Sequence, residues 1–353
     1  MSDDTVGVGM IGAGFIADYH LNGLKAAGGA SLRAVAARTK ASADATAARH
    51  GIPFATDDWR SLLDRADIDA VVIATPDATH AEIACAAAAA GKAILLQKPM
   101  APTPAECVAI IAAARKAGVA LQVSFMHRYF EEVFRASEFL ASGAGGKIYS
   151  ARIRNATPGP DWSDWFFRRE KVGGGVVLQL GVHGIDLVQH MLGPIQNLSA
   201  VTALLKTERV LADGRRIFPD NEDHALASYR FAGGALGAHE MDFSEAHGTD
   251  RFSLAIFCER ATLELRGPRG ALAIWCPDAF GHDRWETPAL PERPFGARHH
   301  AAFLDIVRGR APADDTAEAG LSTLLVAEAI YRAADTGTAQ EVRAPDAVMR
   351  EAA

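Results

Sequence analysis

Four cysteines are all that the 353 residues contain, and no two of Cys85, Cys107, Cys258 and Cys276 form a C-x-x-C pair. Neither a zinc ribbon nor a disulfide framework is indicated. No apolar run approaches the roughly 18 residues that a membrane span requires. The opening Met1-Ser2-Asp3-Asp4 is acidic and lacks the basic region of a secretory signal. No Lys/Arg block could track a phosphate backbone, and the net charge of −7 works against a nucleic-acid partner. Internal repeats and low-complexity tracts are absent apart from alanine enrichment. These absences lead us to expect a cytoplasmic protein with reduced thiols, no nucleic-acid partner and no membrane association. Hydrophobic residues at 49% and charged residues at 22% fit a globular chain with large cores, and the length fits two domains of ordinary size.

The first part alternates short apolar runs with helical patterns. Val6–Ile11, Leu32–Ala37, Ala70–Ala74, Ala93–Leu96 and Ala120–Phe125 read as strands. Leu21–Ala27, Ala41–His50, Glu82–Ala90 and Pro104–Ala117 read as helices. This rhythm predicts an α/β domain over residues 1–125 with a parallel sheet covered on both faces. After a helix at Glu131–Ala141 the pattern changes to strands at Ile148–Arg154, Leu198–Leu205, Ala225–Phe231, Ala235–Met241, Phe252–Phe257, Ala261–Leu265 and Ala271–Trp275. Hairpin signals such as Ala232-Gly233-Gly234 and Gly267-Pro268-Arg269-Gly270 separate several of them. One helix, Gly174–Met191, interrupts the series, and another, Ala317–Ala334, follows it. Residues 126–353 are expected to form an α+β domain with a mainly antiparallel sheet.

The strand Val6–Ile11 runs into Gly12-Ala13-Gly14-Phe15-Ile16-Ala17, a G-x-G-x-x-A sequence. Gly12 permits a tight turn, Gly14 lets backbone N–H groups approach a pyrophosphate, and Ala17 keeps the following helix close to the strand. The motif follows a strand, opens a helix and begins a βαβ unit, the context that a dinucleotide site requires. Phe15 and Ile16, in the same turn, are candidate cofactor contacts. At the end of the second strand, Ala36-Ala37-Arg38-Thr39-Lys40 offers no acid for a ribose 2′-hydroxyl. Arg38, helped by Thr39 and Lys40, suits a 2′-phosphate, which points to NADP with NAD also possible; the alternative is that Arg38 is a solvated loop charge.

Three further segments carry a family resemblance: Ile73-Ala74-Thr75-Pro76-Asp77-Ala78-Thr79-His80, Gly91-Lys92-Ala93-Ile94-Leu95-Leu96-Gln97-Lys98-Pro99, and Gly173-Gly174-Gly175-Val176-Val177-Leu178-Gln179-Leu180-Gly181-Val182-His183-Gly184-Ile185-Asp186. With the glycine fingerprint they resemble the glucose–fructose oxidoreductase / inositol dehydrogenase / rhizopine catabolism (Gfo/Idh/MocA) family over nearly the whole chain. The resemblance implies a Rossmann domain followed by an open-faced sheet domain that often mediates oligomerisation. It also implies NAD(P)-dependent chemistry on a secondary or anomeric hydroxyl of a sugar or polyol. By position, Thr75, Pro76 and His80 match the loop near the nicotinamide ribose, Lys98 matches the lysine of an E-K-P motif and His183 matches the catalytic histidine. His127 lies where relatives carry a substrate-contacting residue. The chain departs from the pattern at Gln97, before the lysine, and at Gln179, commonly Asp; each change removes a negative charge.

Hydride transfer needs a base for the hydroxyl proton and a positive group near the oxygen. His183 is the better base, since its charge changes near neutral pH; Lys98 can polarise the oxygen and share the proton. Gln179 sits four residues before His183 and could orient the ring without stabilising its cation, which predicts a weaker base or a reaction run mainly as carbonyl reduction. Trp165, with Trp162, could stack on a sugar ring. His183, Asp186 and His190 span two helical turns, too far for one ion, so no metal is expected. An exposed sheet face predicts a homodimer or homotetramer. The competing reading is a cofactor-binding sensor or regulator of the same fold.

Overall fold

A computed structural model of the chain describes residues 4–248 and 251–351. The chain divides into two units: one runs as far as Tyr129 and adds Glu292–Leu321 and the residues from Met349, and the other holds Phe130–Pro291 and Ser322–Val348. The return of Glu292–Leu321 to the first unit has no local signature in the sequence.

The first unit follows the order β1 (Val6–Ile11), α1 (Ala17–Ala27), β2 (Ala30–Ala36), α2 (Lys40–His50), β3 (Phe54–Thr56), α3 (Arg60–Leu63), β4 (Ala70–Ile73), α4 (His80–Ala89), β5 (Ala93–Leu96), α5 (Pro104–Ala117) and β6 (Leu121–Val123). Its six strands are parallel in the order β3-β2-β1-β4-β5-β6. Every residue of β1, β4 and β5 is buried, as strands covered on both faces demand. The helix α5 starts on a capping box between Thr103 and Glu106, with Pro104 in its first turn. Register fixes the working end of the sheet. Ile11 lies beside Ala36 and Ile73, Ile73 beside Leu96, and Leu96 beside Val123. The chain therefore leaves β1, β2, β4, β5 and β6 at one level, where such sheets bind ligands.

The second unit contains α6 (Glu131–Ala141), β7 (Ile148–Ala156), α7 (Arg169–Val172), α8 (Val182–Leu192), β8 (Ile195–Ala203), the short ribbon β9 (Arg209–Val210) and β10 (Arg216–Ile217), β11 (His224–Phe231), β12 (Leu236–Asp242), β13 (Ser253–Cys258), β14 (Thr262–Gly267), β15 (Gly270–Trp275), β16 (Trp285–Glu286) and β17 (Gln340–Glu341). Nine of these strands form one sheet in the order β16-β15-β14-β13-β7-β12-β11-β8-β17. All neighbours are antiparallel except β12 and β7. From Ala225 on, residues along β11 alternate between buried and exposed, so one face packs and the other stays open.

The single helix expected over Gly174–Met191 is corrected. Gly173 ends α7 in the left-handed region at φ 70°, Val177–Gly181 winds as a π-helical turn, and α8 begins only at Val182. The three consecutive glycines have little helical preference of their own, so contacts from elsewhere in the unit set the winding.

Candidate active site

The first unit builds a dinucleotide cradle. Gly12 has φ 108°, and a Cβ there would overlap the Ala74 carbonyl, so only glycine lets the turn pass β4 so closely. A Cβ at Gly14, by contrast, would meet no protein atom within 4 Å. Glycine therefore leaves open room in front of the turn, as a pyrophosphate requires. Ile16, at the N-cap of α1, gives no side-chain cap, and Phe15 is exposed, so no N-cap side chain competes with an anion for the start of this helix. These features fit a bound dinucleotide.

Next to this turn, Thr75 and Pro76 form a loop closed by Thr79. The Thr79 hydroxyl lies 2.7 Å from the Thr75 hydroxyl and donates to the Pro76 carbonyl at 2.8 Å. His80 is fully buried, with Nε2 3.0 Å from the Thr75 carbonyl and Nδ1 3.0 and 3.3 Å from the carbonyls of Pro99 and Met100. It ties the loop after β4 to the loop after β5, and its side chain positions those loops from within the fold. Lys98 lies two residues past the end of β5, before a cis peptide to Pro99. The Gln97 side-chain oxygen accepts the Lys98 backbone N–H at 2.8 Å.

Past β2, Arg38 is exposed and, among the described residues, has no hydrogen-bond or ion-pair partner. The Thr39 hydroxyl accepts the Ser42 N–H and caps α2, which leaves its own O–H to donate. The Lys40 ammonium pairs with Asp44, one helical turn on, in an exposed ion pair. His127 is buried in the 3-10 turn Met126–Tyr129 that follows β6.

The second unit holds the remaining candidates on one stretch. Gln179 lies in the π-helical turn and His183 in the first turn of α8; both are buried, as is Asp186. The glycines of this segment allow close packing. A Cβ at Gly175 would overlap the Glu222 carbonyl, one at Gly181 the Met241 sulfur, and one at Gly184 the Asn155 side chain. Two residues that the sequence reading missed hold the segment. The Glu222 carboxylate accepts N–H groups from Gly175 at 2.8 Å and Val177 at 3.3 Å, and the Tyr331 hydroxyl at 2.8 Å. Burial pushes its carboxyl up, against the downward pull of those bonds. Asn221 donates to the carbonyls of Phe166 and Gly174 and so joins the tryptophan loop to the glycine run. Their only sequence signal is the polar run Asn221-Glu222-Asp223 just before a strand. Trp165 stacks on Phe166 at 3.9 Å, and Trp162 stands edge-on to the same ring. Among the described residues no group of three His, Cys, Asp or Glu side chains could hold a metal ion. No described helix is long and apolar enough to cross a membrane.

Residues 6–125 match the model of the oxidoreductase family with an NAD-binding Rossmann fold, and residues 133–264 match the family's C-terminal domain. The chain belongs to the Gfo/Idh/MocA oxidoreductases. A relative from Pseudarthrobacter phenanthrenivorans, levoglucosan dehydrogenase, is 32% identical over 76% of this chain and 73% of its own. Inositol 2-dehydrogenase 2 from Saccharopolyspora erythraea is 30% identical over 96% of both chains. Among solved structures, levoglucosan dehydrogenase in complex with NADH and L-sorbose superposes with a TM-score of 0.86 at 26% identity, covering 97% of this Gfo/Idh/MocA chain and 100% of the other. GenD2 from gentamicin A biosynthesis in complex with NAD reaches 0.80 at 28% identity over 97% of each.

Proposed function

We propose that this oxidoreductase moves a hydride between a nicotinamide dinucleotide and a secondary or anomeric carbon of a sugar, polyol or keto-sugar. The observation that carries the reading is the open room in front of Gly14, at the same sheet level as Thr75, Pro76 and Lys98. The curated relatives named for dehydrogenation of levoglucosan and inositol support the substrate class, and the sensor reading is given up. Gly12, Gly14, Phe15 and Ile16 would hold the pyrophosphate, and Thr75, Pro76, Gln97 and Lys98 would border the nicotinamide ribose. When bound, the nicotinamide supplies the hydride acceptor or donor. The Lys98 ammonium stabilises negative charge on the substrate oxygen, and His183 takes or returns the hydroxyl proton. Gln179 orients His183 without adding charge, and His127 and Trp165 contact the substrate. Unengaged Arg38 favours NADP by reaching a 2′-phosphate, whereas NADH and NAD are the cofactors named with the solved relatives.

Lys98→Ala should keep dinucleotide binding within a few-fold and lower kcat/KM on a reactive polyol by about 10³. Full activity in that variant removes Lys98 from the chemistry, and failure of the wild-type protein to bind either dinucleotide sinks the whole reading. Arg38→Ala should weaken NADPH binding far more than NADH binding.

A homodimer or homotetramer is proposed through the open face of the second unit. There a groove of about 870 Å³ includes Arg152, Arg154, Leu226 and Glu240, and Val201 and Leu236 are exposed. A monomer in sedimentation at micromolar concentration would exclude it.

A further inference from the structure

Within the first unit a buried line of polar groups runs from the residue beside Lys98 to the helix Ala297–Val307. Its direction can be deduced from its ends. Because a backbone N–H only donates, the Gln97 atom that accepts from Lys98 is oxygen. The amide nitrogen therefore faces His20, 3.3 Å from Nε2. An amide nitrogen only donates, so His20 Nε2 offers a lone pair and the ring proton sits on Nδ1. His20 Nδ1 lies 3.0 Å from His300 Nε2, which must accept. His300 Nδ1 then carries the proton and donates to the Gly296 carbonyl at 2.7 Å. The Lys98 N–H at one end and the Gly296 carbonyl at the other are fixed independently, and both demand the same direction.

No extra proton fits this line. On His20 Nε2 it would oppose the Gln97 N–H; on His300 Nε2 it would oppose the His20 Nδ1–H. Burial acts in the same sense, holding His20 well below the usual histidine range, with His300 adding to the effect, and bringing His300 down to about 4. The rings packed around the pair include Tyr19, His299 and Tyr129. Tyr19 of α1 has its hydroxyl 3.0 Å from His299 Nδ1, the His299 ring lies 4.8 Å from that of His300, and Tyr129 covers His299 at 4.7 Å. His299 is also held low by burial. Among the described residues no carboxylate bonds to these three rings. Close packing holds the line in place, since a Cβ at Gly23 of α1 would overlap the His300 ring.

We propose that His20 and His300 are positioning residues of the reaction: they lock the Gln97 amide in one orientation and so fix the backbone of Lys98, while remaining neutral throughout the working pH range. His80 grips the other flank through the Pro99 and Met100 carbonyls, so Lys98 is held from both sides. The glutamine at position 97 follows from this arrangement. A carboxylate there has no N–H for the His20 lone pair and would draw a proton onto the ring. The functional part of the inference rests on the reading of Lys98 above; the tautomers do not.

The test begins with two-bond 1H–15N correlation spectra of the full-length, histidine-labelled protein without ligands, assigned with His20→Gln and His300→Gln. Both rings should show the Nδ1–H neutral form, unchanged from about pH 8 to about pH 5.5. An Nε2–H form at either ring, or titration near its ordinary pKa, overturns the proposal. In kinetics, His300→Leu leaves the His20 Nδ1–H without an acceptor and should lower kcat about tenfold at unchanged dinucleotide Kd. His300→Gln restores an acceptor oxygen and should stay within about threefold of wild type. Gln97→Glu should add an ionisation to the pH profile of kcat/KM and protonate His20 near neutrality. Equal losses in both His300 variants, or an unaltered profile in Gln97→Glu, overturn the positioning role. Correct tautomers in a protein that binds no dinucleotide would instead refute the proposed function and leave the hydrogen-bonded line standing.

Discussion

In the first unit a Cβ added at Gly14 would meet no protein atom within 4 Å, whereas in the second a Cβ at Gly175 would run into the Glu222 carbonyl and one at Gly184 into Asn155. The sequence writes both places as glycine-rich runs beside a helix start, and only the surroundings tell them apart. Gly14 keeps space for something that is not protein. Gly175 and Gly184 let the segment that carries Gln179 and His183 lie against its own sheet and loops. A glycine can thus mark a ligand or a packing contact, and the neighbouring atoms decide which.

Substitution should separate the two cases. Gly175→Ala forces the backbone of Glu222 aside and should cost about 3 kcal/mol of stability, read as a fall in the denaturant midpoint; a variant as stable as wild type would mean that the contact is soft. Gly14→Ala should keep stability within about 0.5 kcal/mol and weaken dinucleotide binding about a hundredfold, and unchanged affinity would deny that the room in front of Gly14 is used.

Acid should also distinguish the units. His20, His299 and His300 in the first are held below the ordinary range, and His239 in the second is held down to about 3 by burial. A depressed folded value means that the unfolded chain takes up protons first. The stability these rings contribute is complete above about pH 6.5 and is lost as pH falls towards the folded values, at up to about 1.4 kcal/mol per pH unit for each ring. Hydrogen exchange between pH 7 and 5 should therefore show the first unit weakening faster; an equal or reversed order contradicts this. The smallest effect is expected from Thr103→Ala, which removes the local cap of α5 and should cost about 1 kcal/mol with no change in kcat. Glu222→Ala takes away a cap supplied from a distant loop and should lower kcat as well as stability, because the capped segment carries His183.

Local patterns made much of the fold readable. Val6–Ile11, Ala93–Leu96, Pro104–Ala117 and Glu131–Ala141 have the limits expected from periodicity and caps, since each is decided by neighbours within a few residues. β3 and α3 are too short to show a period. The π-helical turn was hidden because Glu222, which bonds to its start, lies more than forty residues away in the chain. The candidate site was legible where chemistry is local, as in Gly12–Ala17 and Thr75–His80. His20 and His300 stand 280 residues apart, and nothing near either of them announces the other.

That separation has a consequence for synthesis. The hydrophobic core of the first unit contains Phe303 and Leu304 alongside Val8, Leu24 and Val72, so the nascent chain exposes an unfinished core until those late residues emerge. At ribosomal speeds of about 5–20 residues per second, the wait from Tyr129 to Glu292 is on the order of ten seconds or more. During that interval His20 has no His300 to receive its proton, and the apolar side of α1 is open to whatever chaperone or neighbouring nascent chain reaches it first.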